Sequence, residues 1–401
     1  MSGPMASRID ARARVFGVLA ETGAVSRADL ARRTRLAAST VSAVVTELQA
    51  AGLVTEPAAG GGDPRPPGAV GRPPVLVALH RNAGVAIGLD FGKRHVRVVV
   101  SDLAHQVLAE RHDELDADVP AAAAIAHAAA LVDEVLSDAN AEQADVAGVG
   151  MGLPGPVHGP TGELGDSTIL PGWVGVRAAD AMSDALGRTV EVENDANLGA
   201  LSEWMWGAGR GAENMAYLKV STGIGAGFII GGRPYTGTSG TAGEIGHTVI
   251  DPTGPVCRCG NRGCLETLAG SAAMLAPLRG PLGADVAVGD VIGYASDGHI
   301  ECVRAIADAG TAIGTAVATL CNLFNPERIV VGGDLAAAGP LLIEPLREAV
   351  RRGAVRSAAE DVNVVEGTLG ERAEVLGAVA LVLRRGADLL RRSDAVAARR
   401  V

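Results

Sequence analysis

His247–Glu266, HTVIDPTGPVCRCGNRGCLE, places three of the chain's five cysteines within eight residues, ten positions after a histidine. Cys257, Cys259 and Cys264 stand among glycines and polar residues, in a stretch too irregular for a helix or a core strand. Cysteine is ordinarily a small buried hydrophobe, and Cys302 and Cys321, flanked by Ala, Val and Leu, fit that role. The clustered three do not. With His247 they form a Cys₃His set, the donors of a closed tetrahedral structural zinc site, although the spacing is not that of a zinc finger or ribbon. The alternative is a redox pair or a disulfide, which a reducing compartment disfavours.

At 401 residues the chain is long for one domain, and two or three are expected. Nearly half of the residues are hydrophobic, aromatics are scarce and there are 54 glycines, the composition of an α/β protein with many tight turns. No uncharged apolar run reaches membrane-spanning length, and MSGPMASRID lacks a signal-peptide core, so the expected location is the cytoplasm, with no membrane partner. The net charge of −11 is unevenly spread. Residues 1–80 hold nine Arg against six Asp or Glu, a net of +3, leaving −14 for the rest. A small basic head on an acidic body implies two jobs.

In the head, apolar residues recur at helical spacing from Arg8 to Ala20 (Ile9, Val15, Phe16, Leu19) and stop at Thr22-Gly23. Ser26 then caps SRADLARRT, with Asp29 in the third position of a capping box. After a break at Arg35-Leu36, AASTVSAVVTELQAAG reads as a helix closed by Gly52. LVTE and VLVALH read as two strands of a wing joined by a Gly- and Pro-rich loop. The pattern is a winged helix-turn-helix over residues 1–80. Its third helix would enter the major groove of double-stranded DNA by its N-terminal end, with Ser39, Thr40, Ser42 and Thr46 toward bases and phosphates, and Val41, Val44, Val45 and Leu48 in the core. Arg72, in GRPP, would reach the minor groove from the wing tip, or else lie solvated in its loop. A winged helix of this size can also bind protein, but the basic charge and hydroxyl-rich face favour DNA. One such unit reads a short half-site, so a homodimer or higher homo-oligomer on a pseudo-palindromic operator is expected.

The body is a series of apolar strands, each running into glycine or an acid: VAIGLDFGKRHVRVVVSDL, DVAGVGMGLPGPV, VEVENDANLGALSEW, MAYLKVSTGIGAGFII and ERIVVGGDLAAAGPLL. Such ends place backbone N–H groups where phosphates can be held, though none is a Walker or Rossmann fingerprint.

GLPGPV, ENDAN, STGIGAG, GTAGEIGH and CRCGNRGCLE, in that order, resemble the ROK family of bacterial repressors, open reading frames and sugar kinases. The winged head is similar to the repressor branch, such as the xylose and N-acetylglucosamine repressors. The resemblance implies an α/β, actin/hexokinase-like (ribonuclease H-like) two-lobed body: residues 81–193 plus 378–401 as the first lobe, and 194–377 as the second. It also implies a sugar held by Asn194, Asp195, Glu244, His247 and Glu266, a donor and acceptor set suited to hydroxyls. Zinc would hold one nitrogen of His247, leave the other for the sugar, and fix Glu266 beyond Cys264. Taken singly, Asp195 could be a helix N-cap, and Glu244 and Glu266 solvated loop acids.

In kinases of this kind Asp195 would be the general base and ATP phosphates would lie on Gly-rich hairpins. Thr222, Gly223 and Gly225 keep the second hairpin. The first, DxGGTK in kinases, reads DFGKRH: Asp90 and Gly92 remain, while Lys93 and Arg94 replace Gly and Thr. Gly332 and Gly333 survive but precede Asp334. These changes imply a sugar-responsive transcriptional regulator without catalysis, most simply a repressor of carbohydrate-utilisation genes. A sugar kinase with a DNA-binding appendage, or a regulator controlled by a protein partner, are the alternatives.

Overall fold

The computed structural model describes residues 11–12, 14–19, 22–56, 75–80, 84–158, 161–165 and 169–384. Arg72, the wing loop around it and the chain beyond Arg384 lie outside the described residues.

In the head, the helix Arg27–Thr34 starts on Ser26, whose Oγ accepts from the Asp29 N–H, and ends at Arg35 with a left-handed φ of 52°. The next helix, Ala38–Ala50, buries Val41, Val44, Val45 and Leu48, the set its 3.6-residue period selects. The wing has three strands where two were expected: Val25–Ser26 pairs antiparallel with Leu76–Leu79, which pairs with Val54–Thr55. Two residues are too few to show a strand period.

The body consists of two five-stranded sheets of one topology. The first contains Val85–Phe91, His95–Asp102, Val107–Glu114, Val146–Leu153 and Val190–Asn194; the second Met215–Val220, Ile224–Ile229, Pro234–Tyr235, Arg328–Gly332 and Asn363–Glu366. Numbered along the chain, each sheet is ordered 3-2-1-4-5, with strands 1–3 antiparallel and 4 and 5 parallel to strand 1. VAIGLDF is buried at every position, as a central strand covered on both faces must be.

Each unit ends in a helix that crosses to the other sheet. Asp195–Trp206 follows the first sheet but packs on Ile224–Ile229 and Met215–Val220 of the second. Ala373–Arg384 follows the second sheet and packs on Val85–Phe91 and Val146–Leu153 of the first. The two helices pack on each other, and glycine permits the closeness. A Cβ on Gly377 would fall 2.1 Å from the Leu198 carbonyl oxygen, and one on Gly150 2.1 Å from that of Ala378. This exchange places the N-terminal turns of both helices on the floor of the cleft between the sheets.

Ala121–Asp138 packs on the first sheet, and Ile300–Phe324, packed on Pro340–Gly353, contributes to the core of the second. Ile300–Phe324 is long and apolar enough to cross a membrane, but 56% of its apolar window is buried inside the fold and it carries Glu301, Arg304 and Asp308. Cys302 and Cys321 are buried in it.

Candidate functional site

The loop that carries the cysteines follows the edge strand Pro234–Tyr235 and is held by its own backbone. Cys257 N–H donates to Asn261 O at 2.7 Å, Gly263 N–H to Pro255 O at 2.7 Å, and Leu265 N–H to Thr248 O at 2.9 Å. Gly263 has a φ of 66°, and a Cβ there would fall 1.5 Å from the Asp251 carbonyl oxygen, so only glycine closes this loop. The closure gathers His247, Cys257, Cys259 and Cys264, whose ligand atoms all lie within 4.8 Å of one another.

The four donors fit a metal. Tetrahedral zinc bonds of about 2.3 Å to sulfur and about 2.0 Å to nitrogen require sulfur–sulfur edges of about 3.8 Å and sulfur–nitrogen edges of about 3.5 Å. Cys259 Sγ and Cys264 Sγ are 3.7 Å apart, and Cys257 Sγ and His247 Nδ1 are 3.5 Å apart. None of the five cysteines is joined to another in a disulfide.

His247 turns its other nitrogen, Nε2, toward the cleft, 3.9 Å from Glu244 Oε2. Burial lifts the Glu244 carboxyl above its usual range; Asp195 and Glu266 add to this, and His247 and Arg258 oppose it. Glu266 opens the short helix Glu266–Ala269 and accepts from Arg258 Nη2 at 2.8 Å. Asn194 is the N-cap of the helix Asp195–Trp206, the role the sequence suggested for Asp195: its Oδ1 accepts from Ala196 N and Asn197 N, while Nδ2 donates to Gly155 O. Asp195 is instead the first helical residue, buried, with Oδ2 accepting from Lys219 Nζ at 2.9 Å and Oδ1 from Ala196 N at 2.8 Å.

These five residues line one cleft of about 920 Å³, together with Asp90, Gly92, Thr222, Gly223, Gly225 and Gly333. The first loop is filled from within. His95 folds back so that its ring would collide with a Cβ on Gly92, and its Nε2 lies 3.0 Å from Asp90 Oδ2. Burial pushes the Asp90 carboxyl up, but the His95 hydrogen bond and the charges of Lys219, His95 and Arg97 hold it below the usual range. Lys93 and Arg94 stand exposed at the mouth. The second hairpin presses on Glu266 and on the helix Asp195–Trp206: a Cβ on Gly223 would fall 2.6 Å from Glu266 Oε2, and one on Gly225 3.2 Å from Ala196 Cβ. In the third patch, Gly332 faces Tyr217 and Gly333 adopts a φ of 82° against the Val220 backbone, so packing and strand geometry require both glycines.

His95, Lys219, Arg258 and Glu374 are among the cleft residues that escaped the sequence reading. Lys219 in the apolar strand MAYLKV and Arg258 between two cysteines carried a faint signal, a lone charge where an uncharged residue is expected. Lys219 also lies 3.6 Å from Glu374 Oε1, and Tyr217 Oη donates to that oxygen at 3.1 Å. Burial, with repulsion from Asp90 and Asp195, pushes the Glu374 carboxyl up to about 7 despite Lys219. Burial alone would lower the Lys219 ammonium, but Asp195, Glu374 and Asp90 outweigh it and raise it.

On the head, Ser39 and Thr46 are exposed and Thr40 and Ser42 half-buried on the face opposite the helix's core residues. The Thr46 hydroxyl donates to the Ser42 carbonyl at 2.9 Å, which occupies its one proton.

Comparison with known proteins agrees with this division. The ROK family matches residues 86–385 and the MarR family residues 9–62. The chain is 28% identical over 382 residues to the xylose repressor of Caldicellulosiruptor bescii, covering 92% of this chain and 94% of the repressor. A ROK family transcriptional regulator described as a homolog of the E. coli MLC protein superposes with a TM-score of 0.79 at 25% identity, over 96% of this chain and 99% of that one. The ROK family glucokinase from Streptomyces griseus, solved with glucose and AMPPNP, superposes with a TM-score of 0.65 at 27% identity, over 74% of this chain and 99% of the kinase. The chain belongs to the ROK family, with a MarR-type winged helix ahead of an actin/hexokinase-like body.

Proposed function

We propose that this protein is a sugar-responsive, DNA-binding transcriptional regulator, a repressor of carbohydrate-utilisation genes that a sugar effector releases from its operator. The observation that carries the reading is the asymmetry of the cleft. Its sugar side presents an amide, an imidazole and three carboxylates, while its phosphate side is filled by His95 and its candidate base, Asp195, is bonded to Lys219. Asn194, Asp195, Glu244, His247 and Glu266 hold the sugar through hydrogen bonds, and the floor formed by the two crossed helices feels its arrival. Zinc, held by His247, Cys257, Cys259 and Cys264, supplies a rigid cross-link for the loop. The residues around it then act by geometry: His247 Nε2 and Glu244 face the sugar, and Glu266 is fixed beside Cys264.

At the other end of the chain, Ser39, Thr40, Ser42 and Thr46 read the major groove and Arg72 the wing side, in a homodimer on a pseudo-palindromic operator. The body divides into lobes near Glu193, the first completed by the helix Ala373–Arg384. The opposing reading, an ATP-dependent sugar kinase with a DNA-binding appendage, is favoured by the intact Thr222-Gly223-Ile224-Gly225 hairpin. Two assays decide. Operator release by one of a panel of pentoses, hexoses and amino sugars, with no sugar-dependent ATP turnover, is the expected result. Robust turnover that Asp195→Asn abolishes would establish the kinase instead.

A further inference from the structure

We propose that Lys219 is the resident cation of a buried carboxylate cage in the cleft floor, standing where a divalent ion would otherwise sit, so that the cleft admits a sugar but not a metal–phosphate pair. The proposal deepens the sensor reading and rests on it. The cage draws one residue from each of four elements. Asp90 comes from the first strand of the first sheet, Lys219 from the first strand of the second, and Asp195 and Glu374 from the opening turns of the two crossed helices.

Lys219 Nζ lies 2.9 Å from Asp195 Oδ2 and 3.6 Å from Glu374 Oε1. Asp90 is only 2% exposed; its Oδ2 is taken by His95, and its buried Oδ1 has no hydrogen-bond partner among the described residues. Three carboxylates facing a shared space, one with an orphaned buried oxygen, form the hard oxygen set that divalent cations choose. Phosphoryl transfer uses such an ion to bridge two phosphates and neutralise the charge that develops between them. An ammonium neutralises carboxylates but carries one charge, has no open coordination positions, and fills the space with its own stem. With Lys219 in place, the carboxylates are satisfied without a metal, and Asp195 keeps the fixed geometry that a sugar hydroxyl meets.

Removing the ammonium should therefore open a cation site. The test uses the full-length, zinc-loaded protein and Mn²⁺ alone, followed by calorimetry and by the spin resonance of bound Mn²⁺. Wild type should show no cleft site tighter than millimolar, whereas Lys219→Met should bind one Mn²⁺ per chain at least about tenfold more tightly. That gain should vanish when Asp90→Asn is added. Mn²⁺ should also raise the melting temperature of Lys219→Met but not of wild type. If the single variant does not fold, Lys219→Met/Glu374→Gln, with one carboxylate fewer to compensate, carries the same comparison. Equal Mn²⁺ binding by wild type and variant, or a cooperatively folded variant that gains none, would overturn the proposal. A gain of Mn²⁺ in the variant, with no sugar of the panel bound by either protein, would leave the cage standing and defeat the sensor reading instead.

Discussion

Asp195→Asn removes one charge and keeps the shape, and the structure sets two magnitudes for it. The first is stability. Asp195 is 8% exposed and takes the Lys219 ammonium at 2.9 Å, and removing one partner of a buried pair costs about 3–5 kcal/mol when nothing replaces it. Here Glu374 remains 3.6 Å from the same ammonium, and an asparagine can turn its carbonyl oxygen to Lys219. The cost should fall to about 2 kcal/mol, or roughly 3 °C in the melting temperature of a body of this size. The second magnitude is affinity. A charge-assisted hydrogen bond is worth roughly 1.5–3 kcal/mol, so sugar affinity should fall about ten- to a hundredfold. DNA affinity without sugar should not change, since the substitution leaves the head untouched. Thermal-shift titration with the releasing sugar, repeated by calorimetry, measures both quantities. Unaltered sugar affinity in a folded Asp195→Asn protein would remove Asp195 from the site and refute the reasoning.

Protein purified without chelator should contain about one zinc per chain by metal analysis, and Cys264→Ser should lose it, as should Gly263→Ala, whose Cβ has no room beside the Asp251 carbonyl. Three free thiols and no metal would dismiss the site. In operator binding measured by fluorescence anisotropy, Ser39→Ala should change base preference and cost about 1–3 kcal/mol, whereas Thr46→Ala should cost less because that hydroxyl's proton is spent on Ser42. The reverse order would argue for another docking angle. The fourth prediction is a pH dependence. Because burial raises the Glu374 carboxyl from 4.5 to about 7, the fold binds its proton more tightly than the unfolded chain does. Glu374 therefore supports stability fully below about pH 4.5 and withdraws that support as pH rises toward 7. Glu374→Gln should flatten the melting temperature between pH 5 and 7.5, and a slope identical to wild type would show that another group sets it.

What the sequence disclosed followed from the range of each signal. The core face of Ala38–Ala50 was legible because its helical period repeats over thirteen residues. The Cys₃His cluster was legible because cysteine is rare and three of them stand among turn residues. Val25–Ser26 was too short to show any period. The duplication of the body escaped entirely, because it resides in strand order and direction, which residue identities do not repeat. The capping role open to Asp195 in the sequence belongs to Asn194, since one residue of register separates the two and both side chains can cap a helix.

Four of the residues that escaped, His95, Lys219, Arg258 and Glu374, share a cause: each gains its meaning from a partner on another element. His95 matters because the hairpin returns it to Asp90 five residues earlier. Arg258 matters because its loop carries it to Glu266, and Lys219 because the crossed helices bring Asp195 and Glu374 to one strand. A catalytic motif can be read along a chain, whereas its neutralisation is written across it. The ENDAN motif alone would suggest a base ready to accept a proton. The fold instead delivers an ammonium to that same carboxylate from the strand Met215–Val220, a contact invisible to any local reading, and on the proposed sensor reading this contact is what would separate a pocket that detects a sugar from one that transforms it.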